Sequence, residues 1–183
     1  MFPSFTARYR TTDVFALVSL LLISILLLSY ILFPIKSQAN MQKISLTVSL
    51  WILTSMKFFT MFQDYSHTFC QNEFITATYR NPRCGIMAFL LTFGVHAVVL
   101  WSSMRAYTLL AMITYQKSLT STRWIVAINV ICWGVPLVFA TAALGTETVG
   151  YAFSGTCAAR AGLQKYFYFI PILVRYAQNL DWQ

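Results

Sequence analysis

Three ionisable side chains, Lys57, His96 and Arg105, lie inside two long apolar stretches of this chain, and another stretch carries the amide of Asn129. Charge and unmatched polarity are expensive in hydrocarbon, so such residues mark either polar contacts between helices or sites that sense a ligand. At 1.5 Å of rise per residue, His96 lies about 18 Å along a helix from Cys84, and Asn129 about 22 Å from Leu144. Antiparallel neighbours would bring the two to similar depth, within reach of one hydrogen bond. Arg105 falls about 31 Å from Cys84, at a headgroup level where its long side chain snorkels or locks to a further helix. Lys57, six residues before Gln63, reaches an interface or pairs with Asp64.

No catalytic constellation accompanies them. Cys-x-x-Cys, His-Glu-x-x-His and glycine-rich phosphate loops are missing, and no apolar stretch carries a pair of carboxylates. His67 and His96 stand too far apart in position to suggest a metal site. The expectation is a protein without enzymatic activity, cofactor or metal.

The elements that hold these residues are apolar runs at 14–35, 44–62, 85–113 and 124–144. About 20 helical residues cross the roughly 30 Å hydrocarbon layer, and each run reaches or nearly reaches that length. Composition agrees: 58% hydrophobic, 10% charged and a mean hydropathy of +0.63. Backbone groups in lipid must be satisfied within the element, and these runs lack the alternation of a barrel strand, so helices are expected. A secretory signal does not fit the first run, since residues 14–33 are uncharged and no small-residue cleavage site follows before Lys36. The predicted fold is an all-α membrane protein of four full transmembrane helices. A fifth apolar stretch, 166–174, is too short to span as it stands.

The net charge of +8 comes from basic residues scattered in ones and twos beside helix ends. That distribution suits lipid headgroups and excludes a nucleic-acid surface, which would need a basic patch with exposed aromatics. Alternation of the runs places loops 36–43 and 114–123 on one face, and residues 1–13, 63–84 and 145–165 on the other. Lys and Arg occur on both faces, so charge does not orient the chain. Cys70, Cys84 and Cys157 all fall on the N-terminal face, with Cys132 inside the fourth run as a small apolar residue. Thiols gathered in the loops of one face point to an oxidising compartment on that side, which predicts an extracellular N-terminus in the plasma membrane.

Reading on through the third and fourth runs, Cys84-Gly85 is followed by Trp101, then by Cys132-Trp133-Gly134-Val135-Pro136, then by Ser154-Gly155-Thr156-Cys157. This order resembles the membrane region of Frizzled/Smoothened-type seven-helix receptors. There a cysteine opens the third helix, a tryptophan lies midway along it, the fourth helix carries Trp-Gly-(apolar)-Pro, and Ser-Gly-x-Cys follows in the second outer loop. The likeness covers roughly 30–174, and Phe33-Pro34, Cys70 and Tyr166–Pro171 are similar in position. The short N-terminus looks more like fungal members than animal receptors for Wnt or Hedgehog proteins.

The resemblance implies a partial seven-helix receptor: 1–13 as a short outer segment, 14–174 as the transmembrane part, and 175–183 as a truncated end. It implies a disulfide between Cys84 and Cys157, and leaves Cys70 without its usual linker partner. It also implies membrane lipid, an unknown extracellular ligand, and a heterotrimeric G protein or other cytoplasmic effector as partners. The cysteine-rich Wnt-binding domain has no counterpart in the 13 residues before the first run. Two other readings compete: a four-helix scaffold or assembly protein, and half of a transporter. A transporter would show broken helices at midplane, and only Pro136, expected to kink its helix beside a close-approach Gly134, offers one.

Overall fold

The structure is a computed structural model, and it describes residues 3–33, 38–57, 70–72, 75–76, 81–115, 122–146, 149–152 and 156–159. Four helices dominate: α1 (Pro3–Leu32), α2 (Gln38–Ser55), α3 (Pro82–Tyr115) and α4 (Thr122–Gly145). Two short antiparallel hairpins, β1 (Cys70–Asn72) with β2 (Ile75–Thr76) and β3 (Val149–Ala152) with β4 (Thr156–Ala159), follow α2 and α4 respectively. The fifth apolar stretch, 166–174, lies outside the described residues.

Three helices contain segments long and apolar enough to cross a bilayer: Val14–Leu32, Pro82–Thr114 and Arg123–Gly145. Within these segments the most apolar window is 56% buried for α3, 22% for α4 and 0% for α1. Burial therefore makes α3 the central helix, with α2, α4 and the β3–β4 hairpin packed against it and α1 packed mainly against α2.

Helix limits follow local chemistry. Asn81 caps α3: its Oδ1 accepts from the Arg83 backbone N–H at 3.1 Å, and Pro82 fills the first turn, where a missing N–H costs nothing. α1 stops at Leu32, one residue ahead of the position that Pro34 forces out of helical geometry. Its start differs from the sequence reading, which opened the helix at 14. The helix begins at Pro3 and runs through Arg8, Arg10 and Asp13, because hydropathy marks where lipid begins, whereas helical hydrogen bonding continues into the polar segment.

The second expected span, 44–62, is shifted: α2 occupies Gln38–Ser55, and residues 58–62 lie outside the described part. Its hydropathy falls below that of the other three because it carries buried polar side chains, Gln42, Ser45, Thr47 and Ser49. Gln42, Ser45 and Ser49 are spaced to share a face, and Gln42 donates through Nε2 to Thr108 Oγ1 of α3 at 3.0 Å. Ser49 and Thr47 turn their hydroxyls back to the Ser45 and Lys43 carbonyls at 2.8 Å. Small and self-satisfied side chains let two helices approach closely in lipid, where no hydrophobic force drives them together.

At Gly94, α3 comes close to the backbone of α2. A Cβ there would stand 2.9 Å from Leu53 Cα of α2, a distance that backbone cannot yield. Gly134, expected from sequence to serve this role, has nothing within 4 Å of the same position. The other end of the bundle's cross-bracing is Trp51, whose Nε1–H donates to Ser24 Oγ of α1 at 3.0 Å.

Gly94→Ala is expected to destabilise the folded protein by about 1–3 kcal/mol through overpacking. Gly134→Ala, which gains helix propensity without a clash, should be neutral or slightly stabilising. Thermal melting of both variants in one detergent checks the contrast, and equal midpoints would refute it.

Candidate functional site

The β3–β4 hairpin is built on the register Val149↔Ala159, Gly150↔Ala158, Tyr151↔Cys157 and Ala152↔Thr156. It folds back over the first turns of α3, where Cys84 and Cys157 are joined by a disulfide with a Cα–Cα distance of 5.2 Å. Both cysteines are fully buried in a cluster with Met87, Ala88 and Val149, against which Leu144 packs. The bond spans 73 residues of sequence and ties the start of α3 to the segment that follows α4. The hairpin is thereby fixed across one mouth of the bundle.

Below this cap, α3 and α4 meet through a ladder of rings. Phe89 stacks on Phe93 and Phe93 on Trp133, each at 5.9 Å between centroids, and Trp133 meets Trp101 edge-on at the same distance. Such pairs contribute about 0.5–1.5 kcal/mol each beyond their buried area. Trp101 is the largest fully buried side chain and packs with Ala97, Leu100, Ile128 and Cys132. Trp101 and Trp133 are thus packing residues, while Trp51 is exposed enough to face lipid.

The polar residues singled out from sequence separate. His96 is 5% exposed, its Nδ1 lies 2.7 Å from the Thr92 carbonyl, and its ring stacks on Phe139 at 4.9 Å. Asn129 donates from Nδ2 to the Ile125 carbonyl at 2.8 Å. The contacts described for the pair therefore lie apart, because the register of α3 against α4 sets His96 level with Phe139. Phe139 is ten residues, about 15 Å, from Asn129. Asn129 instead lines a small cavity with Met41, Gln42, Trp101, Ile125 and Ile128. Arg105 is half-buried one helical turn beyond Trp101, and Lys57 is half-buried just past the end of α2. α4 continues as helix through the buried Pro136. Cys132 is buried and takes no part in the disulfide, and the side chain of Cys70 lies outside the described residues.

Sequence reasoning missed Gln42, Thr108, Phe89, Phe93 and Gly94. A signal existed for the first: Gln42, Ser45 and Ser49 recur at helical spacing, but Gln42 precedes the run that hydropathy marks. Along the outer face of α4, a groove of about 540 Å³ is lined by Arg123, Val126, Ala127, Val130 and Ile131, a basic residue at the head of an apolar column. Among the described residues, no group of three or more His, Cys, Asp or Glu comes together.

The family comparison decides the class of this disulfide-capped helical bundle. The family model described as 7 transmembrane receptor (Secretin family) matches residues 6–180, nearly the whole chain. The chain belongs to that family. No curated protein matches it significantly. This seven-transmembrane receptor relative is accordingly a multi-pass membrane protein, and the match is to the secretin family, not to the Frizzled/Smoothened type that the motif order resembles.

Replacing Cys157 by Ser is expected to cost this receptor-family protein about 2–4 kcal/mol, the usual contribution of a native bridge closing a long loop. Cleavage of the α3–α4 connection at residues 116–121 gives the second readout. Wild-type fragments should stay joined until reductant is added, whereas those of the variant should separate at once. Separation in both proteins without reductant would show that the bond does not form.

Proposed function

We propose that this chain belongs to a transmembrane signalling receptor, which takes a ligand at the disulfide-capped end and couples to a heterotrimeric G protein at the other. The observation that carries the proposal is the family match over residues 6–180. The disulfide-held hairpin supports placing the capped end outside, since such bonds persist in oxidising compartments. With that orientation, 1–13 lies outside the cell, 14–174 contributes four full transmembrane helices and the start of a fifth to a seven-helix domain, and the plasma membrane is the site of action. Arg105 and Arg123 then fall on the cytoplasmic side, where basic residues are favoured beside anionic lipid.

Within this reading, Pro136 bends the fourth helix, and His96 and Asn129 act as intramembrane polar contacts, with Arg105 held at the inner headgroups. A finer reading, a Frizzled/Smoothened type of fungal kind, is favoured by the order Cys84, Trp101, Trp133-Gly134-Val135-Pro136 and Ser154-Gly155-Thr156-Cys157. The scaffold alternative has no comparable support.

Membranes from cells expressing the full product of the gene that carries this sequence provide the test. An epitope inserted between β3 and β4, at residues 153–155, should be stained on intact cells. The same membranes should accelerate guanine-nucleotide exchange on added heterotrimeric G protein severalfold over membranes lacking the product. Staining only after permeabilisation would reverse the orientation, and exchange at the background rate against every G-protein class would refute the coupling.

A further inference from the structure

We infer that the outer face of α4 is a site for one phospholipid of net negative headgroup charge, its phosphate held at Arg123 and an acyl chain laid along the groove below. That groove, of about 540 Å³, is lined by Arg123, Val126, Ala127, Val130 and Ile131, all of them exposed. The last four follow Arg123 by three, four, seven and eight residues, so the five share one face of the helix. Ala127 lies midway in the row from Arg123 to Ile131, and its small side chain accounts for the hollow. The opposite face is already committed, since Ile128, Cys132, Pro136 and Ala140 are buried, the first two in a cluster with Trp101 of α3.

The depth of the groove matches one leaflet. Arg123 opens the membrane-length segment Arg123–Gly145, at the end of α4 away from the disulfide-held hairpin. From Arg123 to Ile131 the helix rises about 12 Å, while half of a roughly 30 Å hydrocarbon layer is about 15 Å. With Arg123 among the headgroups, the groove therefore ends just short of the midplane, within the reach of an acyl chain from that leaflet.

Charge selects the lipid. Arg123 stands in the first turn of α4, which contains no acidic residue, and the helix dipole sets its positive end there. A cation is disfavoured at that place, and Arg123 has no hydrogen-bond or ion-pair partner among the described residues. A headgroup phosphate supplies the missing counter-charge, and the planar guanidinium can grip two of its oxygens at once. A zwitterionic headgroup would bring a cation of its own to the same point, so the preference is for net negative lipid. A second copy of the chain is a poorer occupant. Two copies inserted the same way round and joined face to face through this groove would set Arg123 against Arg123 at one depth. The inference stands apart from the receptor reading, because it requires only that α4 spans the bilayer.

The test uses the whole chain in nanodiscs of phosphatidylcholine that contain a trace of phosphatidylserine with a photoactivatable diazirine on its acyl chain. After irradiation, peptides covering residues 123–131 should carry severalfold more label than with a phosphatidylcholine probe bearing the same chain. Unlabelled phosphatidylserine should displace the label, as it can from a site but not from bulk lipid. Arg123→Gln should abolish the difference between the two probes, and Ala127→Phe, which fills the hollow, should lower labelling by both. Equal labelling by the two probes in the wild type, or labelling that unlabelled phosphatidylserine leaves unchanged, would overturn the proposal. So would a wild type left unlabelled over 123–131, the result expected if a second copy or another part of the protein covers this face. The wild-type measurements decide the matter even if neither variant folds.

Discussion

Lipid supplies no hydrogen bonds, so each polar group carried into the bilayer must be matched by the protein itself. That constraint accounts for the behaviour of most polar side chains in the bundle. Ser24, Ser49, Ser103 and Thr141 each return a hydroxyl to a carbonyl one turn back on their own helix. Asn129 does the same with its amide, and His96 sets a ring nitrogen against the Thr92 carbonyl. Among the described residues, Gln42 with Thr108 and Trp51 with Ser24 join one helix to another and become specific fasteners.

Contacts of several kinds succeed one another along α3, the most buried helix. At one end the Cys84–Cys157 bond holds the β3–β4 hairpin against Met87 and Ala88. In the middle, Gly94 admits the backbone of α2, and the rings of Phe89, Phe93, Trp101 and Trp133 interlock α3 with α4. At the far end Gln42 crosses from α2 to Thr108. Covalent, steric, dispersive and hydrogen-bonded contacts thus succeed one another along a helix about 51 Å long. A receptor needs such an arrangement if a ligand at one end is to bias the other, because coupling travels through packed elements that keep their register.

The motif order and the family match bear on different levels of the same question. Cysteine at the head of α3, tryptophan in its middle and Trp-Gly-Val-Pro in α4 resemble the Frizzled/Smoothened type, while the family model covering 6–180 is that of the secretin family. Both lie within the seven-helix receptors. The motif residues are ones that build the bundle: Cys84 and Cys157 close its mouth, and Trp133 packs α4 on α3. Scaffold residues of this kind carry architecture further than they carry ligand specificity.

Membrane residence, the helical class and the positions of α3 and α4 to within about three residues were legible in the sequence, because hydrophobic length responds directly to bilayer thickness. The same signal failed at the start of α1 and for α2. Helical hydrogen bonding outlasts the apolar stretch in one, and a polar face turned to a neighbour lowers the average in the other. Which polar residues meet was not legible at all. His96 and Asn129 share an approximate depth, yet rotation and register of packed helices are set by side-chain fit: Phe139 took the place opposite His96, and Asn129 turned to the cavity beside Trp101. Likewise Gly94, not Gly134, became the point of close approach, since only the assembled bundle determines which face of a helix another backbone meets. The sequence by itself determined the solvent and the elements; the tertiary structure decided the pairings, because depth along a helix is additive in residue number and the angle around it is not.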